Sequence, residues 1–189
     1  MSSRHGAASV LDWFTPHVSA EDAFLAPDFN LGQFFYTRET AARMADAFDR
    51  YERPCCLCTP RLAFEWQTRG RIVRLLDYDR RFETHGGFQA FDLLKPEPPG
   101  EDFDVLIFDP IFIEASKLAR AVKVVLSGSV RADLFMTFPV PRERELFAAF
   151  AAFSLQRIDF PLACCNIKPE FSELFALYGS VPMPVRSDA

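Results

Sequence analysis

The sequence predicts an α/β protein built on an open, mostly parallel sheet with one antiparallel strand near its end. Three observations lead there. Short runs such as "VLIF" within "FDVLIFD" (103–109) are wholly apolar, as strands covered on both faces require. Segments with helical spacing of apolar residues alternate with those runs, the pattern of crossovers between parallel strands. The last two apolar runs, "LQRIDFPLAC" and "FSELFALYG", follow one another around a turn at Lys168-Pro169, as a closing antiparallel pair would.

Taken in order, residues 1–30 mix Ser, Ala, His, Pro and Asp without a period and read as an irregular arm with one short helix near 20–25. Thr37 is a capping residue, Glu39 an acid in the first turn, and Ala41, Met44, Ala45 and Phe48 lie at helical spacing, which predicts a helix. "RPCCLCTP" is a first strand stopped by Pro60, "RLAFEWQTRG" a helix ended by Gly70, and "RIVRLLDY" a second strand. "GGFQAFD" gives a third strand, "KPEPPGED" a surface loop and "FDVLIFD" the fourth strand. "EASKLARA" reads as a short helix, "VKVVLSG" as a fifth strand, and "RERELFAAFAAF" as a helix with Leu146, Phe147, Phe150 and Phe153 along one face. The organisation is an arm (1–30), one domain (31–180) and a tail (181–189).

Composition bounds what such a domain can do. A chain of 189 residues, 49% of them hydrophobic, fills one ordinary core. A net charge of −5 argues against binding nucleic acid by phosphate neutralisation alone and suits a basic macromolecular partner. No apolar stretch approaches the ~20 residues of a membrane span, and "MSSRHGAASV" lacks the order of a secretory signal, so a soluble, cytoplasmic protein is expected. The five cysteines sit in two tight groups, Cys55, Cys56 and Cys58, then Cys164 and Cys165. Adjacent strand residues point to opposite faces, so Cys55 and Cys56 are poorly placed to share a metal; core thiols and no metal site are expected.

In open α/β sheets the ligand crevice lies past the carboxyl ends of the central strands. Here those ends carry Thr59 and Pro60, Asp77 and Asp79, Asp92, and Asp109 to Phe112. An acid after the second strand is the usual partner of a ribose diol, which gives that role to Asp77 or to Asp79.

"LGQFFYTRETA", "LLDYDRRF", "FQAFD" and "FDVLIFDPIF", in this order between Leu31 and Tyr178, resemble the S-adenosylmethionine-dependent methyltransferases first described as N6-adenine methyltransferases, a family that includes the lysine methyltransferases of elongation factor 1A. The resemblance implies a Rossmann-like class I methyltransferase with a seven-stranded sheet, S-adenosylmethionine as cofactor and an amino nitrogen as acceptor. It also accounts for the acid locked to a proline at the end of "FDVLIFDP". In amino-methyltransferases of this type an Asp-Pro-Pro-aromatic motif follows the fourth strand. Carried over, Asp109 and the Pro110 carbonyl would hold the acceptor N–H groups while Phe112 lies against it. Gln33, Tyr36 and Thr37 would sit near the methionine part of the cofactor, with Thr59, Asp77, Asp79 and Asp92 along the rest of it. Ile111 stands where the family has its second proline.

Three readings stay open at this level. The first is a protein-lysine methyltransferase acting on a basic partner such as a translation factor. The second is an adenine-N6 methyltransferase of DNA or RNA, which needs a basic track beside the crevice from Arg71, Arg74, Arg80, Arg81, Arg142 and Arg144. The third, suggested by Ile111, is a non-catalytic interaction protein on a methyltransferase fold.

Overall fold

A computed structural model describes residue 28 and residues 31–110, 112–127, 129 and 131–183. The arm with its short helix near 20–25, most of the tail and Ile111 lie outside the described residues. Seven strands are hydrogen-bonded in the order β3-β2-β1-β4-β5-β7-β6. They are β1 (Pro54–Leu57), β2 (Arg74–Asp77), β3 (Phe88–Ala90), β4 (Val105–Phe108), β5 (Asp133–Pro139), β6 (Gln156–Ile158) and β7 (Phe175–Gly179). Strands β3, β2, β1, β4 and β5 run parallel, and β7 is antiparallel to both β5 and β6. This is the mostly parallel seven-stranded sheet with one antiparallel strand that the sequence led us to expect.

Two apolar layers cover it. On one face α1 (Arg38–Phe48) and α2 (Pro60–Thr68) bury Met44, Phe48, Leu62 and Trp66 against Cys56, Leu75 and Ile107. On the other, α3 (Ala115–Val125) and α4 (Glu143–Ala149) bury Leu118, Val122 and Leu146 against Cys55, Leu106 and Met136. Every residue of β1 and of β4 is therefore buried, which is why these strands read as unbroken apolar runs. Cys55 and Cys56 point into opposite layers, as strand alternation dictates. Thr37 caps α1 by accepting the Thr40 N–H at 3.2 Å.

Three sequence expectations are corrected. "VKVV" is not the fifth strand but the end of α3, because Leu118, Val122 and Val125 fall on one buried helical face. A short apolar run carries no period of its own, so the helix and strand readings compete there. The fifth strand is "DLFMTFP", which pairs with β4 on one side and β7 on the other. The two late strands are also shorter than read: β6 ends at Ile158 and β7 begins only at Phe175.

The long connection between them, 159–174, folds back over the carboxyl end of the sheet. There it meets the segment that precedes α1. Thr37 N donates to Ala163 O at 2.8 Å, Cys165 N donates to Phe35 O at 2.9 Å, and Tyr36 and Cys164 form an antiparallel bridge. Asn166, fully buried, completes the joint: its side chain accepts the Phe35 N–H at 2.9 Å and donates to the Gln33 carbonyl at 3.0 Å. The segment 31–37 is thus held as a strap across the crevice.

Candidate active site

The carboxyl ends of β1, β2 and β4, with the turn after β3, enclose a cavity of about 360 Å³ beneath the strap. That volume lies within the roughly 300–1,000 Å³ of small-molecule sites. Asp77, Asp92 and Asp109 line it, and no Lys, Arg or His does among the described residues. Phe91, Leu93 and Ile113 form apolar wall, while Leu31, Tyr78, Leu94 and Phe112 form an exposed apolar rim.

Each acid is held differently. Asp77 is 6% exposed and accepts the Asp79 N–H at 2.9 Å. Burial, reinforced by the nearby Asp79 charge, pushes its carboxyl up to about 7 against the pull of that backbone bond. Asp109, 4% exposed at the end of β4, is pushed well above the carboxylate range by burial and then by Asp77. Asp92 lies in the turn after β3, where it accepts the Leu94 N–H at 2.8 Å. Asp79, only two residues beyond Asp77, is lowered instead: Arg81 and Gln33 hold its carboxylate and outweigh its burial. The Gln33 amide donates to Asp79 Oδ2 at 2.8 Å, and Gln33 Oε1 accepts from Arg81 and from the Asp28 N–H.

The structure brings together Gln33, Asp77, Asp92, Asp109, Pro110 and Phe112 of the residues singled out from sequence. Four others lie off the cavity wall. Asp79 is turned to Arg81 and the strap. Thr59 is buried behind β1, its hydroxyl donating to the Ile107 carbonyl at 3.3 Å. Thr37 caps α1, and Tyr36 is buried behind Asp109 with its hydroxyl 2.7 Å from Thr137 Oγ1.

The apolar wall residues were not singled out from sequence, and neither were two residues whose backbone shapes the cavity. Cys58, taken for a core thiol, lines the cavity in the left-handed conformation at φ 60°, its N–H bonded to the Leu76 carbonyl at 2.9 Å. The turn after β1 therefore bends toward the crevice without a glycine, at a backbone cost of order 1–3 kcal/mol. Gly32 (φ +62°) is the second: a Cβ there would lie 2.5 Å from the Phe112 ring, so strap and ring meet only because the side chain is missing. A glycine inside "LGQFF" was the available signal.

The family model described as Probable N6-adenine methyltransferase matches residues 27–176, a span that includes the strap, strands β1 to β6, the start of β7 and the whole cavity wall. The chain belongs to that family. Over 119 residues it is 29% identical to EEF1A lysine methyltransferase 1 of Gallus gallus, covering 54% of this chain and 56% of that one. The Danio rerio protein of the same name is also 29% identical over 119 residues, covering 53% of this chain and 72% of that one. The chain thus spans about half the length of the chicken relative it matches. Among solved structures, a ribosomal protein L11 methylase from Lactobacillus delbrueckii subsp. bulgaricus superposes with a TM-score of 0.52 at 14% identity, over 78% of this chain and 80% of that one. Thermoplasma acidophilum 1320 superposes with a TM-score of 0.51 at 14% identity, over 80% and 88%. These likenesses show the fold.

Membership of the N6-adenine methyltransferase family makes this an S-adenosylmethionine-dependent methyltransferase fold, with S-adenosylmethionine as its cofactor. The crevice fits that group on its own chemistry. A sulfonium is a cation, and the wall offers three carboxyls with no competing cationic side chain among the described residues. Asp77, the last residue of β2, stands at the strand end from which open α/β sheets hold a ribose diol, and Phe91 and Leu93 would offer apolar surface for a base beside Asp92.

Proposed function

We propose that the chain is a protein-lysine N-methyltransferase, with an elongation factor 1A-like translation factor as substrate. The observation that carries the reading is the cavity wall itself, acids and apolar side chains with no Lys, Arg or His among the described residues. Such a wall suits an aliphatic chain ending in an ammonium. The names of the two curated relatives point the same way.

Bound S-adenosylmethionine would supply an electrophilic methyl group; the chain's own residues prepare the acceptor. In its ionised form, which the charge of the incoming ammonium favours, Asp109 takes a proton from that ammonium and leaves a free lone pair on nitrogen. The Pro110 carbonyl already accepts the Ile113 N–H at 3.3 Å and retains a second lone pair for an acceptor N–H. Phe112, at the rim, lies along the aliphatic stem and can face the cation before it is neutralised. Pinned through Gln33 and Asn166, the strap shields this end of the crevice from water.

Five of the six arginines offered for a nucleic-acid track are each paired with an acid, which favours the protein substrate. Arg71 and Arg74 pair with Asp49 and Glu101 near the start of β2, at the far end of the sheet, and Arg80, Arg81 and Arg142 pair with Glu83, Asp79 and Glu145. Neutralised pairs release few counterions from a phosphate backbone.

The test offers the purified protein S-adenosylmethionine with elongation factor 1A, and separately with adenine-bearing DNA and RNA. Methyl-lysine detected by mass spectrometry, absent with Asp109→Ala, is the expected result. Methylated adenine without methyl-lysine would replace this reading by the nucleic-acid one. Calorimetric failure to bind S-adenosylmethionine would leave only a non-catalytic interaction protein.

A further inference from the structure

We infer that Tyr36 and Thr137 form a buried hydroxyl relay that positions the Asp109 carboxyl, so that the "QFFYT" block serves the acceptor side of the crevice and not the methionine part of the cofactor. The inference rests on the reading of Asp109 as the acceptor-binding acid.

Strand register brings the three groups together. Phe108 of β4 pairs with Met136 of β5, so the next residues, Asp109 and Thr137, lie alongside. Phe108 and Met136 both point into the layer of α3 and α4; Asp109 and Thr137 therefore turn to the opposite face, the layer that holds Tyr36. Tyr36 and Thr137 are 1% and 0% exposed, and their hydroxyls are 2.7 Å apart. A core built for packing alone would carry Phe and Val at these positions, since a buried hydroxyl must find partners.

The groups that face Asp109 come from every neighbouring element: Cys56 of β1, Cys58 just after it, Asp77 at the end of β2, Cys164 of the 159–174 connection, and Tyr36 of the strap. None is a cation. Of these, Tyr36 is the group that favours the ionised carboxyl, opposing burial and Asp77. Each hydroxyl has one proton to give and lone pairs to receive. With Asp109 ionised, Thr137 donates to Tyr36 and Tyr36 to the carboxylate. Once Asp109 has taken a proton, it donates to Tyr36 and Tyr36 turns to Thr137. Both protonation states are served without moving the carboxyl from the crevice, which is what an acid that accepts a substrate proton needs.

Carbon-13 NMR of aspartate-labelled protein, with Asp109→Asn to assign the signal, reads the relay without cofactor or activity. In Tyr36→Phe the Asp109 midpoint should rise by about half a pH unit or more, since one favourable partner of the charged form is gone. Thr137→Val should move it the same way by less, and Thr137→Ser should restore it. In turnover, Tyr36→Phe should lower kcat about tenfold, shift the acid limb of the pH profile upward and leave the Kd of S-adenosylmethionine unchanged. An unmoved Asp109 midpoint in both Tyr36→Phe and Thr137→Val overturns the relay, as does a loss of cofactor affinity matching the loss of kcat. If Tyr36→Phe does not fold, the Thr137 pair decides. Absence of lysine methylation by the unsubstituted protein would count against the proposed function, while the NMR titration would still decide the relay.

Discussion

At the amino ends of the parallel strands, three acids find partners suited to their charge. Asp104 accepts the Glu52 and Arg53 N–H groups at 2.7 and 3.0 Å, Asp133 accepts the Tyr51 hydroxyl at 2.6 Å, and Glu101 pairs with Arg74. At the carboxyl ends, Asp77 and Asp109 are buried, have raised proton affinity and line a cavity whose described wall has no cationic side chain. One end spends its carboxyls on closing the chain; the other keeps them for a ligand. Perturbed carboxyls clustered in a cleft are the physical mark of a site, whereas matched pairs mark structure.

The contrast can be broken most severely at Asp109. Asp109→Asn should reduce methyl transfer by about 10²–10⁴-fold, the range of a lost acid-base group, while calorimetry finds the affinity for S-adenosylmethionine little changed. A parallel loss of binding would move Asp109 to the cofactor side.

Asp77 comes next, and its effects should have opposite signs. Asp77→Asn should weaken cofactor binding about tenfold or more, from a lost charge-assisted contact of ~1.5–3 kcal/mol. The same change should stabilise the protein without ligand. The folded carboxyl titrates near 7 and the unfolded one near the ordinary value, so the unfolded chain releases its proton first and stability falls as pH rises from about 4 to about 7. Thermal melts should show that decline flattened in Asp77→Asn, with a gain of roughly 2–4 kcal/mol at pH 8. A variant less stable than the parent at pH 8 would refute the strain assigned to this acid.

Asp79→Asn sharpens the comparison from two residues away. Its folded carboxyl titrates below the unfolded one, so its contribution is present above the ordinary carboxylate pKa and fades as pH falls. The substitution should cost about 1–3 kcal/mol at neutral pH through weakened bonds to Arg81 and Gln33, and much less in acid. Melts at the two pH values measure it; a pH-independent loss would mean that the strap is held by other contacts.

The smallest effect belongs to the amino end. Asp104→Asn should lower stability by about 1–2 kcal/mol, because an amide accepts the two backbone N–H groups less strongly than a carboxylate. Calorimetry should find the cofactor affinity unchanged. Weakened binding there would dissolve the division between the two ends.

Much of this was legible in the sequence, and the failures have physical causes. Strands β1, β2 and β4 announced themselves because both their faces are covered, and α1 because Thr37 and a regular apolar face agree. "VKVV" failed because four apolar residues fit either period, and only the burial of Leu118, Val122 and Val125 together selects the helix. Asp77 and Asp79 were interchangeable as symbols two places apart. What separates them is Arg81 and Gln33, and Gln33 arrives from 46 residues away.

The sequence by itself determined which side chains would stand past the ends of the strands, since an apolar run that stops at an acid fixes the strand end and the acid together. Tertiary structure alone decided what each acid became. Burial against apolar walls, a cation within reach or missing, and a hydroxyl pair delivered by the strap and β5 depend on neighbours distant in the chain, and proton affinity responds to those neighbours and not to residue type.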